Sequence, residues 1–219
     1  MISTSFHLDK LSEDGFLIVK KCASQTTLSS LSRDFIKIFQ NPTMDCRHFF
    51  ELEVGAACSL RFDKSKHQSI PDTQAFFNQK WMQQLSDSFW QKQIPINTEI
   101  YVMHELPGTQ HNAQDLHFDV KKTLKFFLYL NDVTEANGAF SCVPGSHNES
   151  EKIRNKYGNE ISYDNRHYTR QHAYNNEQVI TLEGKAGDLI IFNTDVWHRA
   201  GIVKKGERKV MRGHTRPGL

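Results

Sequence analysis

The sequence has little of what marks membrane, secreted or disulfide-stabilised proteins. No run approaches the eighteen consecutive apolar residues of a membrane-spanning helix, and residues 1–16 lack the basic and apolar regions of a signal peptide. The four cysteines are too widely spaced for a CxxC pair; they are Cys22, Cys46, Cys58 and Cys142. We therefore expect a cytoplasmic protein with free thiols and no membrane partner.

Over the chain as a whole, positive and negative side chains nearly balance, so there is little net charge of either sign. A net charge of +2 in 219 residues is too small to predict a nucleic-acid partner. Residues 199–219 are the exception, because they hold seven Lys or Arg against one acid, Glu207. This segment is either a solvated basic tail or a source of arginines for an anionic small molecule.

The spacing of apolar residues changes near residue 96. Before it, apolar residues recur at helical spacing in two stripes: Leu28, Leu31, Phe35 and Ile38, then Phe77, Trp81, Leu85 and Phe89. After it, short apolar runs such as 124–130 and 188–192 alternate with Pro-Gly and Asn-Gly turns, which is typical of antiparallel strands. We predict one domain over 1–219, with a mixed helical part (1–95) supporting a sandwich or barrel of strands (96–216).

A histidine and an acid two residues apart occur twice. His117-Phe118-Asp119 precedes a strand run, so both side chains share one face of an extended chain and can bind one metal ion. His7-Leu8-Asp9 precedes a polar helical region, and we expect it to be unconnected with a metal. A distant His198, after the strand 188–192, is the natural third ligand of a 2-His-1-carboxylate facial triad.

Such a triad suits iron chemistry because three ligands on one face leave three positions open. Two of these accept a bidentate cosubstrate and one accepts dioxygen. A closed tetrahedral zinc site leaves none.

The residues around His117 carry a family resemblance. LHFDVKKTLKFFLYLNDVTEANGAFSCVPGSH (116–147), GKAGDLIIFNTDVWHRAG (184–201) and ERK (207–209) resemble the phytanoyl-CoA dioxygenase family of iron(II)/2-oxoglutarate oxygenases. The resemblance spans about 97–216, with a weaker match at 11–19. It implies a mainly β fold with flanking helices: a double-stranded β-helix, also called a jelly-roll or cupin-like barrel.

The resemblance also implies cofactors and roles. Fe(II) would be held by His117, Asp119 and His198, with 2-oxoglutarate and dioxygen as cosubstrates and Arg208 binding the distal carboxylate of 2-oxoglutarate. Spacing, not the resemblance, singles out Arg212: four residues after Arg208 and on the same face of an extended strand, it is a candidate to contact an anionic part of a small-molecule substrate or to close the pocket rim. Phe127 is a candidate for the wall of the substrate pocket. The expected reaction is hydroxylation with release of succinate and carbon dioxide; a halogenase would ordinarily lack the carboxylate of Asp119.

The sequence departs from the family at two positions. Phe118 stands where many relatives carry Gln, and Ala200 stands where some carry a hydroxyl that helps to hold the cosubstrate. Both leave the three ligands in place. They leave the second contact to 2-oxoglutarate unassigned.

Two other functions fit the same barrel. One is a different metal enzyme, an isomerase or a 2-oxoglutarate-independent dioxygenase, with His104, His111 or His214 as additional ligands. The other is a non-catalytic binding module.

Residues 148–178 are predicted to be a long loop able to cover the site.

Overall fold

The computed structural model describes residues 4–40, 58–63, 68–96, 99–110 and 112–217. Cys46 and His111 lie outside the described residues. The helices are α1 (Thr4–Glu13), α2 (Gln25–Gln40), α3 (Pro71–Phe77), α4 (Lys80–Trp90) and α5 (His147–Tyr157). The strands are β1 (Phe16–Val19), β2 (Cys58–Asp63), β3 (Glu99–Glu105), β4 (Leu124–Tyr129), β5 (Phe140–Cys142), β6 (Ile180–Leu182), β7 (Leu189–Asn193), β8 (His198–Arg199) and β9 (Arg208–Thr215).

The strands form two antiparallel sheets. The larger has the order β1-β7-β4-β9-β3-β2 and the smaller the order β6-β5-β8. One apolar cluster, which includes Phe127, Tyr129 and Phe140, joins strands of both sheets. The predicted fold class, a mainly β jelly-roll with flanking helices, is confirmed.

Strand β4 shows why the run 124–130 is apolar at almost every position. Phe126 and Leu128 belong to the cluster that holds the helices, whereas Phe127 and Tyr129 belong to the cluster that holds the small sheet. All six residues of β4 are buried because both faces of the strand are covered. Because β4 lies between β7 and β9 in the larger sheet, every second residue of the strand points towards the interior of the barrel.

The helical stripes are confirmed, with one break. The first forms α2, and the second is divided between α3 and α4 at Asn78 and Gln79. Both stripes bury their apolar side chains against the outer face of the larger sheet. Two strands of the same N-terminal part, β1 and β2, form the edges of that sheet. No helix in the part of the chain that the structure describes is long and apolar enough to cross a membrane.

The prediction of a long loop over residues 148–178 was wrong for the first third of this segment. Residues 147–157 form α5, whose sequence is too polar to show a helical stripe. Its position is fixed instead by polar contacts of Arg154 and by the buried Ser150. Short 3-10 turns at 158–160, 167–169 and 176–178 interrupt the rest of the segment.

Candidate metal centre

Backbone pairing brings His117, Asp119 and His198 together. His117 and His198 form an antiparallel bridge, with N–H···O distances of 3.0 and 2.7 Å in the two directions. The N–H of Asp119 donates to the carbonyl of Thr194 at 3.0 Å. Because residues two apart in an extended segment share a face, this pairing places all three side chains on one side. Their ligand atoms lie within 4.8 Å of one another.

The two imidazoles are oriented by the backbone. Nδ1 of His117 lies 2.7 Å from the carbonyl oxygen of Asp115, and Nδ1 of His198 lies 2.7 Å from that of Val196. A carbonyl only accepts, so each Nδ1 carries the hydrogen and each Nε2 keeps its lone pair. Both Nε2 atoms face Oδ1 of Asp119, at 3.5 and 3.6 Å. These are the tautomers and directions that a metal requires.

The electrostatics keep His198 and Asp119 in the form that binds a metal. Burial, followed by the nearby His117, lowers the pKa of His198 to about 3, so this imidazole is neutral at ordinary pH. Burial by itself would raise the pKa of Asp119, but Lys125 and the two imidazoles hold it well below its usual range. Lys125 Nζ donates to Oδ2 of Asp119 at 2.6 Å, which leaves Oδ1 facing the imidazoles. Asp119 is therefore presented as a one-oxygen ligand.

Arg154 connects the two segments that carry the cluster. Its Nε donates to Oδ1 of Asp195 at 2.7 Å, and its terminal nitrogens donate to the carbonyls of Val120, at 2.6 Å, and Asp119. Its guanidinium also lies over the ring of Phe118, 5.0 Å from the centroid. Asp195 is 1% exposed and sits three residues before His198. Arg154 thus fixes the spacing between the HxD segment and the segment that ends in His198.

A cavity of about 470 Å³ opens beside the cluster. Its lining includes the three clustered residues and the candidates for cosubstrate and substrate binding: Arg208, Arg212 and Phe127. Aromatic rings border the metal-facing end, since Phe140 and Phe192 lie 5.7 and 5.1 Å from the ring of His198. The cavity therefore joins a polar cluster, apolar walls and two arginines in one space.

The two arginines differ in their surroundings. Arg208 is 1% exposed and pairs with the equally buried Glu105, with Nε donating at 2.6 Å, while a terminal nitrogen donates to the carbonyl of Gly138. Arg212 lies four residues on, with its guanidinium carbon 4.8 Å from the ring centroid of Tyr101. Its Nε is buried without a hydrogen-bond partner.

The other histidines considered from the sequence do not join the cluster. His104 Nε2 pairs with Glu207 at 2.8 Å, and His214 lines the cavity without entering the group of possible ligands, which among the described residues is limited to three. His111 lies outside the described residues. His7 is on α1 beside Trp81, with ring centroids 5.7 Å apart, and neither it nor Asp9 belongs to a group of three possible ligands among the described residues.

Sequence reasoning missed Lys125, Arg154 and Glu105. Lys125 had a local signal, since a charged residue inside the apolar run 124–130 must find a partner when it is buried. Arg154 and Glu105 had none, because they meet their partners across 41 and 103 residues of sequence.

Comparisons with known proteins support a single family. The model of the phytanoyl-CoA dioxygenase family matches residues 11–209. Solved structures with the same fold include the epimerase SnoN with Fe3+, alpha ketoglutarate and nogalamycin RO (13% identity, covering 97% of this chain and 82% of that one, TM-score 0.69). They also include the alpha-ketoglutarate-dependent carbocyclase SnoK from nogalamycin biosynthesis (14% identity, 98% and 83%, TM-score 0.67). A third example is HygX from Streptomyces hygroscopicus with nickel and 2-oxoglutarate (14% identity, 100% and 88%, TM-score 0.66).

No curated protein is detectably similar in sequence. The family match covers 199 of the 219 residues, counted from 11 to 209. The chain therefore belongs to the phytanoyl-CoA dioxygenase family of 2-oxoglutarate-dependent non-haem iron enzymes.

Proposed function

We propose that this protein hydroxylates a small organic molecule, with Fe(II) held by His117, Asp119 and His198. The observation that carries the proposal is the arrangement of donors: two Nε2 lone pairs and one carboxylate oxygen, all on one side of two paired segments. Two imidazoles and one carboxylate are the donor set of non-haem iron oxygenases. The iron, when bound with 2-oxoglutarate and dioxygen, supplies the oxidation.

The protein's own contribution is orientation and exclusion of water. The carbonyls of Asp115 and Val196 hold the imidazoles in the tautomer that binds metal. Lys125 holds the second oxygen of Asp119, and this hydrogen bond keeps the carboxylate from chelating the metal with both oxygens. Two open positions are thereby kept for a bidentate cosubstrate.

Arg208 is the proposed anchor for the distal carboxylate of 2-oxoglutarate. Glu105 and the Gly138 carbonyl fix its guanidinium at the cavity wall, and one hydrogen on its NH1 nitrogen remains beyond that used for Gly138. A fixed guanidinium binds a carboxylate with little loss of side-chain entropy. Phe127, which also lines the cavity, is a proposed contact for the carbon skeleton of the substrate.

We propose that the reaction is a hydroxylation and not another kind of oxidation. A cavity of about 470 Å³ matches a small-molecule substrate. We also propose that the protein acts in the cytoplasm, because Cys22 and Cys142 are free thiols.

The test is anaerobic titration with iron(II) and 2-oxoglutarate, followed by a metabolite screen that measures succinate. Alanine at His117, Asp119 or His198 is expected to lower iron occupancy and abolish succinate formation. His7→Ala is the matched control, because it removes the histidine of the other HxD tripeptide and leaves the cluster intact.

Full succinate formation by the His117→Ala protein would refute the ligand assignment. Iron binding without 2-oxoglutarate binding would favour the isomerase or the 2-oxoglutarate-independent dioxygenase. Binding of both without dioxygen consumption across the screen would favour a non-catalytic binding module.

A further inference from the structure

The cavity beside the cluster has a large excess of positive charge. Seven Lys or Arg side chains line it, against the carboxylates of Glu105 and Asp119. Arg208 neutralises Glu105, and Lys125 pairs with Asp119. Arg170 pairs with Asp115 at 3.1 Å. Four cations of the cavity have no carboxylate partner among the described residues: Lys121, Arg166, Arg212 and Arg216. Both carboxylates that line the cavity are therefore already paired with a cation.

Arg212 is the one of these four that lies within the sheet. It sits on β9 between Tyr101 of β3 and Phe127 of β4. Its Nε is buried without a partner, and no carboxylate among the described residues pairs with its guanidinium. Burying a guanidinium without a counter-ion costs free energy, which makes such a residue unusual unless a ligand brings the negative charge.

His214 adds a second unsatisfied nitrogen on the same face of β9. The residue is 6% exposed, and its Nε2 is buried with no hydrogen-bond partner. Its ring stacks on that of Tyr101, with centroids 4.5 Å apart and an angle of 20°. Tyr101 therefore supports both side chains, by ring stacking for His214 and by a cation–π contact for Arg212. Two orphaned nitrogens two residues apart on one strand form a preformed polar subsite.

We infer that Arg212 and His214 bind an oxyanion of the primary substrate, so that the substrate is an organic carboxylate or phosphate. This inference rests on the proposed function, which assigns the two ends of 2-oxoglutarate to the metal centre and Arg208. The apolar walls formed by Met103 and Phe127 then face the carbon skeleton of the bound molecule. Lys121 and Arg216 add positive charge to the same cavity and favour entry of an anion.

The test uses three probes that share a phenyl ring: benzoate, phenyl phosphate and neutral benzamide. Each is titrated by calorimetry into the full-length protein, held anaerobically with iron(II) and saturating 2-oxoglutarate. We expect benzoate or phenyl phosphate to bind at least about tenfold more tightly than benzamide, as for a charge-assisted hydrogen bond. The tighter of the two anions tells a carboxylate substrate from a phosphate substrate.

Variants locate the binding. Arg212→Gln is expected to weaken the preferred anion about tenfold or more while the affinity for 2-oxoglutarate stays within about threefold. Its melting temperature should equal or exceed that of the parent protein, because an unpaired buried charge is removed. His214→Gln should weaken the anion as well. Lys152→Gln, which removes an exposed cation on α5, should leave anion affinity unchanged.

Three outcomes would overturn the inference. The first is equal binding of all three probes, or of none, by protein that binds iron and 2-oxoglutarate; the proposed function would survive this result. The second is an Arg212→Gln protein that loses 2-oxoglutarate instead of the anion, since Arg212 would then belong to the cosubstrate site. The third is unchanged anion affinity in Arg212→Gln or, if that variant does not fold, in Arg212→Lys. Failure of the parent protein to bind 2-oxoglutarate refutes the proposed function itself.

Discussion

Replacing Arg154 tests how the metal centre is held together. Arg154→Ala removes the hydrogen bonds to the carboxylate of Asp195 and to the backbone carbonyls of Val120 and Asp119, and none of these accepting atoms is a proposed metal ligand. It also leaves the carboxylate of Asp195, 1% exposed, with Lys122 at 3.9 Å as its remaining cationic partner among the described residues. Two effects are therefore expected: lower stability and a looser metal site.

The magnitude follows from these contacts. Breaking a buried ion pair costs about 3–5 kcal/mol, and since the Arg154 side chain is 20% exposed we take the lower end, about 3 kcal/mol. In a chain of this length each kcal/mol lowers the melting temperature by about 2–4 °C, so a fall of about 6–12 °C is expected. Loss of outer contacts of this kind weakens metal binding by about 10–100-fold.

The assay combines thermal melting of metal-free protein with anaerobic iron titration. Lys152→Ala, on the exposed side of the same helix, is the matched control and should change neither quantity. Arg154→Ala in an Asp195→Asn background should lose less stability than Arg154→Ala alone, because the unpaired carboxylate is gone. An Arg154→Ala protein with the parent's melting temperature and iron affinity would refute the reasoning.

Three further predictions address the cosubstrate, the metal and acid stability. Arg208→Lys should raise the apparent KM for 2-oxoglutarate about tenfold or more while iron binding stays intact. Arg212→Lys should keep this KM within about threefold of the parent value. If steady-state kinetics show the opposite pattern, the roles of the two arginines must be exchanged. Anaerobic iron(II) and 2-oxoglutarate should give a weak visible charge-transfer band, and its absence in folded, iron-loaded protein would count against bidentate binding. Burial, followed by the positive charges of Arg212 and Lys125, holds the pKa of His214 in the folded protein well below 6.5. The neutral His214 therefore contributes fully to the stability of the folded state above pH 6.5, and this contribution is lost as the pH falls towards the folded-state pKa. Urea unfolding of metal-free protein between pH 6.5 and about 5 should therefore show a shallower loss of stability in His214→Gln than in His167→Gln, an exposed control, and equal slopes would contradict the assignment.

Prediction from the sequence was strongest where local pattern decides the structure. The stripe from Leu28 to Ile38 forms α2 because one apolar face at helical spacing is enough to bury a helix. The runs at 124–130 and 188–192 form β4 and β7 because both faces of these strands are covered. The charged helix α5 was missed because its polar contacts, not an apolar stripe, hold it in place.

The three clustered residues were also visible in the sequence, and the reason is chemical. An HxD segment puts two ligands on one face wherever the chain is extended, and a histidine after a buried strand is readily brought beside it. Spacing along the chain could not show that Arg208 is already paired with Glu105 or that Arg212 has no such partner.

By itself, then, the sequence determined the fold class, the candidate ligands and the family, because periodicity and short motifs act over a few residues. Only the tertiary structure decided which charges meet. Lys125 reaches Asp119, Arg154 joins Asp195 to the HxD segment, and Arg212 faces a cavity with its buried Nε unsatisfied. The register of β9 against β3 and β4 sets the surroundings of Arg212, because pairing across a sheet brings together residues that lie far apart in the chain.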